Sequence, residues 1–438
     1  MVEMIGIRRE DKNEWERRTP IVPRDAKELI EKEGIEIVVQ PSPIRAFTED
    51  EYREAGAKID ENLSGCQVIF GVKEMPLSFF EEGKTYVFFS HTIKGQKHNM
   101  PMLKKMMELG CNLIDYEKMT DESGRRVVFF GRFAGIAGMT DTLHALGQRL
   151  KVEGIETVFL EVQQAYHYHD VQHLKDEMRR IAKHIETKGF PDELVPLVIG
   201  IAGYGNVSRG AQEVLDLLPV IEISAKELLE LDQKSVEKNK IYKVVFKEVD
   251  TVEPKSPNYQ FELQDYFQHP EKYRSKFKMY LPHLTVLVNA IYWDSRCPRL
   301  VTKADIKELY AEGQPKLRVI GDISCDIEGG IECTIKATDP GNPVFVYDVD
   351  TGQAIDGYEG KGPVIMAVDN LPCELPRDSS TEFSRALRPF VPEIAKADYS
   401  VEFDKAEFSP TVKRAVILWH GELTPDYKYL QKFVDELG

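Results

Sequence analysis

A chain of 438 residues is too long for one ordinary domain and suits two, each able to bury its own core. With 42% hydrophobic and 30% charged residues the composition is that of a globular protein, and a net charge of −16 argues against a broad polyanion-binding face, so neither nucleic acid nor membrane is an expected partner. No leader-like series and no apolar run near the roughly 20 residues of a membrane span is present, and six scattered cysteines lack C-x-x-C spacing; a reduced, cytoplasmic protein with no metal site is the expectation.

In chain order, "MIGIRRE" is strand-like, "PRDAKELIEKEG" reads as a helix closed by Gly34, and "IEIVVQPS" is a strand. Thr48 is placed to cap a helix over "TEDEYREAGA". Strands follow at "CQVIFGVKEMP" and "TYVFFSHT", then a helix at "HNMPMLKKMMELG" and a strand at "CNLIDYE". This alternation predicts α/β structure with a largely parallel sheet. "GRFAGIAGMTDTLHALGQRLK" carries small residues on one stripe, as a closely packed helix does, and a domain boundary is set there. "AYHYHDVQH" places His169 and His173 four apart, but two histidines with Asp170 do not close a metal site.

A second α/β unit begins at "LVPLVIGIAGYGNVSRGAQEV", with further strands at "PVIEIS", "LTVLVNAIYW", "LRVIGDIS" and "GPVIMAVDN". Residues 226–282, charged and aromatic, read as an insertion. Past Leu371 the pattern turns helical. The expected division is residues 1–132 with 371–438 as one substrate-binding, catalytic domain and 133–370 as the other, with an active-site cleft separating the two parallel sheets.

The glycine turn defines the second unit. An apolar strand, Gly203 and Gly205, then a helix opened by Asn206, Val207 and Ser208 form a Rossmann-like dinucleotide site, where backbone N–H groups and the positive helix end hold a pyrophosphate. Ser208 stands where the third fingerprint glycine belongs, and Gly210 follows two residues later. The next strand ends at Ser224, with Lys226 just beyond, instead of at a ribose-binding acid. That pattern suits a 2′-phosphate and favours NADPH, while Glu222 keeps NADH open.

Parallel sheets bind ligands beyond the carboxyl ends of their strands. Lys73 and Glu74 stand at one such end, His91 and Lys94 at the next, Asp115 and Glu117 at a third. If these strands are neighbours, one rim holds a lysine that burial can turn into a base, a histidine, and carboxylates to tune them. Arg17 and Arg18, and Arg125 and Arg126, offer guanidinium forks for a substrate carboxylate.

Together, "RREDKNEWERRTPIVP", "GVKEMP", "FFSHTIKGQ", "GRRVVFFGRFAGIAGM", "GYGNVSRGAQE", "NAIYWDSRCPRLVT", "GDISCDIEGGIE" and "DNLPCELPRDSS" resemble the lysine-ketoglutarate reductase half of bifunctional aminoadipic semialdehyde synthase. More distantly they are similar to lysine-forming saccharopine dehydrogenase and alanine dehydrogenase. The resemblance implies NADPH-dependent condensation of L-lysine with 2-oxoglutarate to saccharopine, an oxidoreductase acting on CH–NH. It implies Lys73 as base and His91 as acid, Glu74 and Glu117 as tuning groups at the substrate, and Arg18 and Arg126 as carboxylate holders. It places Asn289, Ile291, Asp322, Asp326 and Asp369 towards the dinucleotide. The saccharopine-oxidising half has no counterpart in the chain, so a separate oxidising enzyme is the expected partner. The residues leave two other readings open: an opine-type or amino-acid dehydrogenase acting on another amine, and a dinucleotide-sensing protein without catalysis.

Overall fold

The structure, a computed structural model, describes residues 3–232, 235–311 and 313–437. It divides into two compact units, Met1–Phe130 with Pro376–Gly438 and Gly131–Leu375.

In the first unit the chain alternates β1 (Met4–Ile7), α1 (Pro23–Glu33), β2 (Glu36–Val39), α2 (Glu49–Glu54), β3 (Lys58–Ile59), β4 (Val68–Phe70), β5 (Thr85–Phe88), α3 (Met100–Glu108) and β6 (Asn112–Asp115). Local chemistry sets the helix ends. Pro23 opens α1, Gly34 closes it in the left-handed conformation at φ 70°, and Thr48 with Glu51 forms a reciprocal capping box on α2. Two strands of the C-terminal segment, Val416–Trp419 and Glu422–Leu423, complete an eight-stranded sheet. Its order is Glu422–Leu423, Val416–Trp419, β6, β5, β4, β1, β2, β3.

These two strands correct the expectation that the chain past Leu371 is helical. "VILW" is buried along its whole length and pairs antiparallel with β6, so it reads as a continuous apolar run without strand alternation. The six N-terminal strands are parallel, and their ends are level: Ile7 pairs with Phe70, Phe70 with Val87, and Val87 with Ile114.

The second unit contains α4 (Gly131–Val152), α5 (Val171–Lys188), β7 (Leu197–Ala202), α6 (Asn206–Leu215), β8 (Val220–Glu222), α7 (Ala225–Leu229), β9 (Ile241–Phe246) and α8 (Glu248–Thr251). After them come a ribbon of β10 (Val252–Pro254) and β11 (Tyr273–Ser275), then β12 (Val286–Asn289), β13 (Val319–Asp322), β14 (Val344–Tyr347), β15 (Ala354–Asp356) and β16 (Val364–Met366). The large sheet runs β15, β14, β16, β13, β12, β7, β9, β8, with β14 antiparallel to both of its neighbours and the other strands running one way.

The expected insertion at 226–282 is therefore not wholly an insertion. Its residues 233 and 234 lie outside the described residues, but β9 within it is an interior strand between β7 and β8. The charge that hides β9 in the sequence is Lys243, which is 3% exposed and neutralised by Asp216 at 2.7 Å and Glu222 at 2.8 Å.

The small-residue stripe of α4 presses on α6. A Cβ on Gly135 would lie 1.9 Å from the Val207 carbonyl oxygen, and one on Gly210 would lie 2.0 Å from that of Arg132. Gly210 thus provides the close approach the fingerprint assigns to its third glycine, leaving Ser208 buried with its Oγ accepting from the Gln212 amide at 3.0 Å.

Candidate active site

The level strand ends of the first unit bring its charged residues to one rim. β4, β5 and β6 are consecutive neighbours, so the loops carrying Lys73 and Glu74, His91, and Asp115 and Glu117 leave the sheet side by side. His91 Nδ1 and Glu74 Oε1 are 2.6 Å apart, and Lys12 reaches Glu74 Oε2 at 3.0 Å. Burial opposes the Glu74 charge, but the His91 hydrogen bond and the His91 and Lys12 charges outweigh it and hold the carboxyl well below the usual carboxylate range. His91 adopts φ 49°, a left-handed conformation seldom used by residues with a Cβ, and its carbonyl accepts from the Asn99 amide at 3.1 Å. The backbone therefore aims this imidazole.

Lys73 is half-buried, and its ammonium pKa is lowered, first by burial and then by the Arg18 charge. Its backbone N–H donates to Glu10 Oε2 at 3.0 Å, and the N–H of Val72 donates to Glu10 Oε1 at 2.8 Å. Glu10 comes from the end of β1, the neighbour of β4, and is 5% exposed; burial and the nearby Glu16 push its pKa up to about 7. Sequence reasoning missed Glu10, although "MIGIRRE" is another charged strand end of the kind that identified the rest.

Arg18 is 3% exposed, with Nε and Nη2 donating to the two Glu16 oxygens at 2.8 and 2.6 Å, and its guanidinium lies 4.2 Å over the Phe130 ring. Glu117 and Arg126 pair with each other. Asp115 is turned inward, accepting from the N–H of Ser90 at 3.0 Å and of Glu117 at 2.7 Å, and burial pushes its pKa up to about 6. It ties the β5 and β6 loops together beneath the rim.

In the second unit, Gly203 has φ 99° and its N–H donates to the Phe246 carbonyl at 3.0 Å. A Cβ there would lie 3.0 Å from the Ala290 oxygen and 3.2 Å from Ile291, so this position is confined to glycine. Gly205 borders open space, with nothing within 4 Å of an added Cβ. Asn206, Val207 and Ser208 open the ten-residue α6 beside that space. These features fit a dinucleotide pyrophosphate, held by Gly205 and the first amides of α6.

Asn289 and Asp322 correct an expectation: their side chains are 2% and 1% exposed and spent on each other at 2.9 Å, with Thr334 also donating to Asp322 at 2.5 Å. They brace the ends of β12 and β13 instead of presenting a polar group to a ligand. Ile291 and Asp326 are half-buried, and Asp369 is exposed. Ser224 caps α7, donating to Glu227 at 2.7 Å, and follows β8, the edge strand two places from β7. That placement removes the basis of the NADPH expectation. Asp170 likewise caps α5 beside exposed His169 and His173, and the described residues contain no cluster arranged to hold a metal.

The model of the alanine dehydrogenase/PNT N-terminal domain matches residues 6–137, and that of the C-terminal domain matches residues 225–426. The chain belongs to the alanine dehydrogenase/PNT family. It is 37% identical over 443 residues to the mitochondrial alpha-aminoadipic semialdehyde synthase of Bos taurus, covering 98% of this chain and 48% of that protein. The Arabidopsis thaliana synthase is 36% identical, with 41% of its length covered. The chain thus spans about half the length of these relatives or less. A saccharopine dehydrogenase [NAD(+), L-lysine-forming] of Emericella nidulans is 25% identical over 90% of this chain and 92% of its own. Among solved structures, an L-alanine dehydrogenase matches with a TM-score of 0.64 at 16% identity, covering 99% of this chain and all of that one. A transhydrogenase from Sinorhizobium meliloti matches with a TM-score of 0.54 at 14% identity, covering 96% of this chain and all of that one. These likenesses show the shared fold, two largely parallel α/β sheets.

Proposed function

We propose that the protein is an oxidoreductase that condenses the ε-amine of L-lysine with the keto group of 2-oxoglutarate and reduces the imine to saccharopine. The observation that carries this reading is the rim of Lys73, Glu74 and His91, with its 2.6 Å imidazole–carboxylate contact, on a chain 37% identical to alpha-aminoadipic semialdehyde synthase. The name of the L-lysine-forming saccharopine dehydrogenase relative supports lysine as the amine. A bound nicotinamide dinucleotide supplies the hydride.

The chain's own residues handle protons and substrate. Lys73, with its lowered pKa, takes a proton from the attacking amine. His91 delivers a proton to the departing hydroxyl, and Glu74 holds its ring in place. Arg18 and Arg126 offer positive charge to substrate carboxylates, and Glu117 orients Arg126. Gly203, Gly205, Asn206, Val207 and Ser208 hold the pyrophosphate. Six cysteines outside any disulfide support a reducing compartment such as the cytoplasm.

The test follows oxidation of NADH and NADPH with 2-oxoglutarate and, in turn, lysine, ornithine, alanine and ammonia, with products weighed by mass spectrometry. Saccharopine from lysine is expected. Turnover with another amine alone transfers the chemistry to a different opine-type product, and binding without turnover on any amine leaves a dinucleotide sensor.

A further inference from the structure

The strand that follows α6 in the chain is not the one beside β7. β9 lies between β7 and β8 and runs parallel to both, with Ala202 opposite Phe246. The Gly203 N–H donates to the Phe246 carbonyl at 3.0 Å, so the chain beyond Phe246 leaves the sheet alongside the glycine turn. Tyr204, the middle residue of that turn, donates its hydroxyl to Glu248, with the two carboxylate oxygens at 3.1 and 3.3 Å. Glu248 is half-buried and Tyr204 is 42% exposed, so this contact lies at the surface of the turn.

A dinucleotide seated on a glycine turn sends its adenosine ribose towards the end of the adjacent parallel strand. We infer that Glu248 receives that ribose and that the protein prefers NADH to NADPH. A carboxylate accepts hydrogen bonds from the 2′- and 3′-hydroxyls together and repels a 2′-phosphate. The residues that the chain order would nominate are engaged elsewhere: Glu222 pairs with Lys243 at 2.8 Å, Ser224 caps α7, and Lys226 lies 3.9 Å from Glu230. Lys247, exposed and next in sequence to Glu248, is the competing cation, since it could favour a phosphate.

This assignment rests on the reading of the second unit as a dinucleotide site and is independent of the amine. The experiment is titration of the full-length protein with NADH and with NADPH, without substrates, followed by nucleotide fluorescence. NADH should bind on the order of tenfold more tightly, and Glu248→Ser should shift the ratio of the two dissociation constants towards NADPH by at least about tenfold. Ser224→Asp, two strands from the turn, should leave that ratio unchanged. A wild-type preference for NADPH overturns the assignment whether or not the variants fold, as does a ratio unmoved by Glu248→Ser or an NADPH preference abolished by Lys247→Ala. Binding of neither dinucleotide overturns it together with the cofactor reading. Preferential NADH binding with no saccharopine formed supports it while sinking the lysine reading alone.

Discussion

Lys73 sheds its proton more easily than a solvated lysine because burial and the Arg18 guanidinium both disfavour its charge. With neutral Lys73 as the base, kcat/KM should rise with pH through a midpoint below 10.5, the ordinary lysine value. Lys12 adds to the depression, so Lys12→Gln should move that ascending limb to higher pH, as a pH–rate profile will show; an unmoved limb would assign it to another group. Lys73→Met and His91→Gln should each lower kcat by about 10²-fold or more, the usual range for a general acid or base. Near wild-type turnover in either variant removes that residue from the mechanism. The rim was legible in the sequence because charged residues stand directly after apolar strands, and their strand ends are level. What was not legible is how deeply each carboxylate is committed: Asp115 looks like Glu117 in sequence, yet one is buried under two loops and the other faces Arg126.

At the scale of elements, helix boundaries were legible where capping chemistry is local, as at Thr48 and Gly34. Strand order was not, because the neighbour of β7 is decided by which strand can bury both faces. β9 qualifies once Lys243 is neutralised by Asp216 and Glu222, partners remote in sequence. The two glycine classes around α6 separate packing from binding. Gly135→Ala places a methyl against rigid backbone, and overpacking of this kind costs roughly 1–3 kcal/mol or more. It should lower the melting temperature and weaken dinucleotide binding together. Gly205 has φ −77° and open space at its Cβ, so Gly205→Ala should melt within a degree or two of wild type while binding the dinucleotide poorly. Calorimetry and dinucleotide titration on the same two variants check this; equal loss of stability in both would dissolve the distinction.

For the whole molecule, the discontinuity of the first unit and the continuity of the second make an asymmetry. Gly131–Leu375 is one stretch of chain with hydrophobic clusters on both sides of its sheet, so expressed alone it should unfold cooperatively and bind the dinucleotide without turning over lysine. Turnover by this fragment would exclude the Lys73 and His91 rim from the chemistry. The same unit carries a buried acid pair that sets its response to pH. Asp141 on α4 accepts from the Ala165 N–H at 2.8 Å, and Glu374, 2% exposed, accepts from the Tyr166 N–H at 3.3 Å. Burial, then the Asp141 charge, raises Glu374 well above the usual carboxylate range, and burial brings Asp141 to about 6. Folded-state values above the unfolded ones mean that the folded protein holds protons the unfolded chain releases. The stabilisation is therefore complete below the unfolded carboxylate pKa and is lost as pH rises through about 6 and beyond. Asp141→Asn keeps an oxygen for the Ala165 N–H and removes one of the two acids, so it should flatten the decline of melting temperature as pH rises from the ordinary carboxylate range through about 6. A variant whose melting temperature falls with pH as steeply as that of the wild type would show that the pair is not the group being titrated.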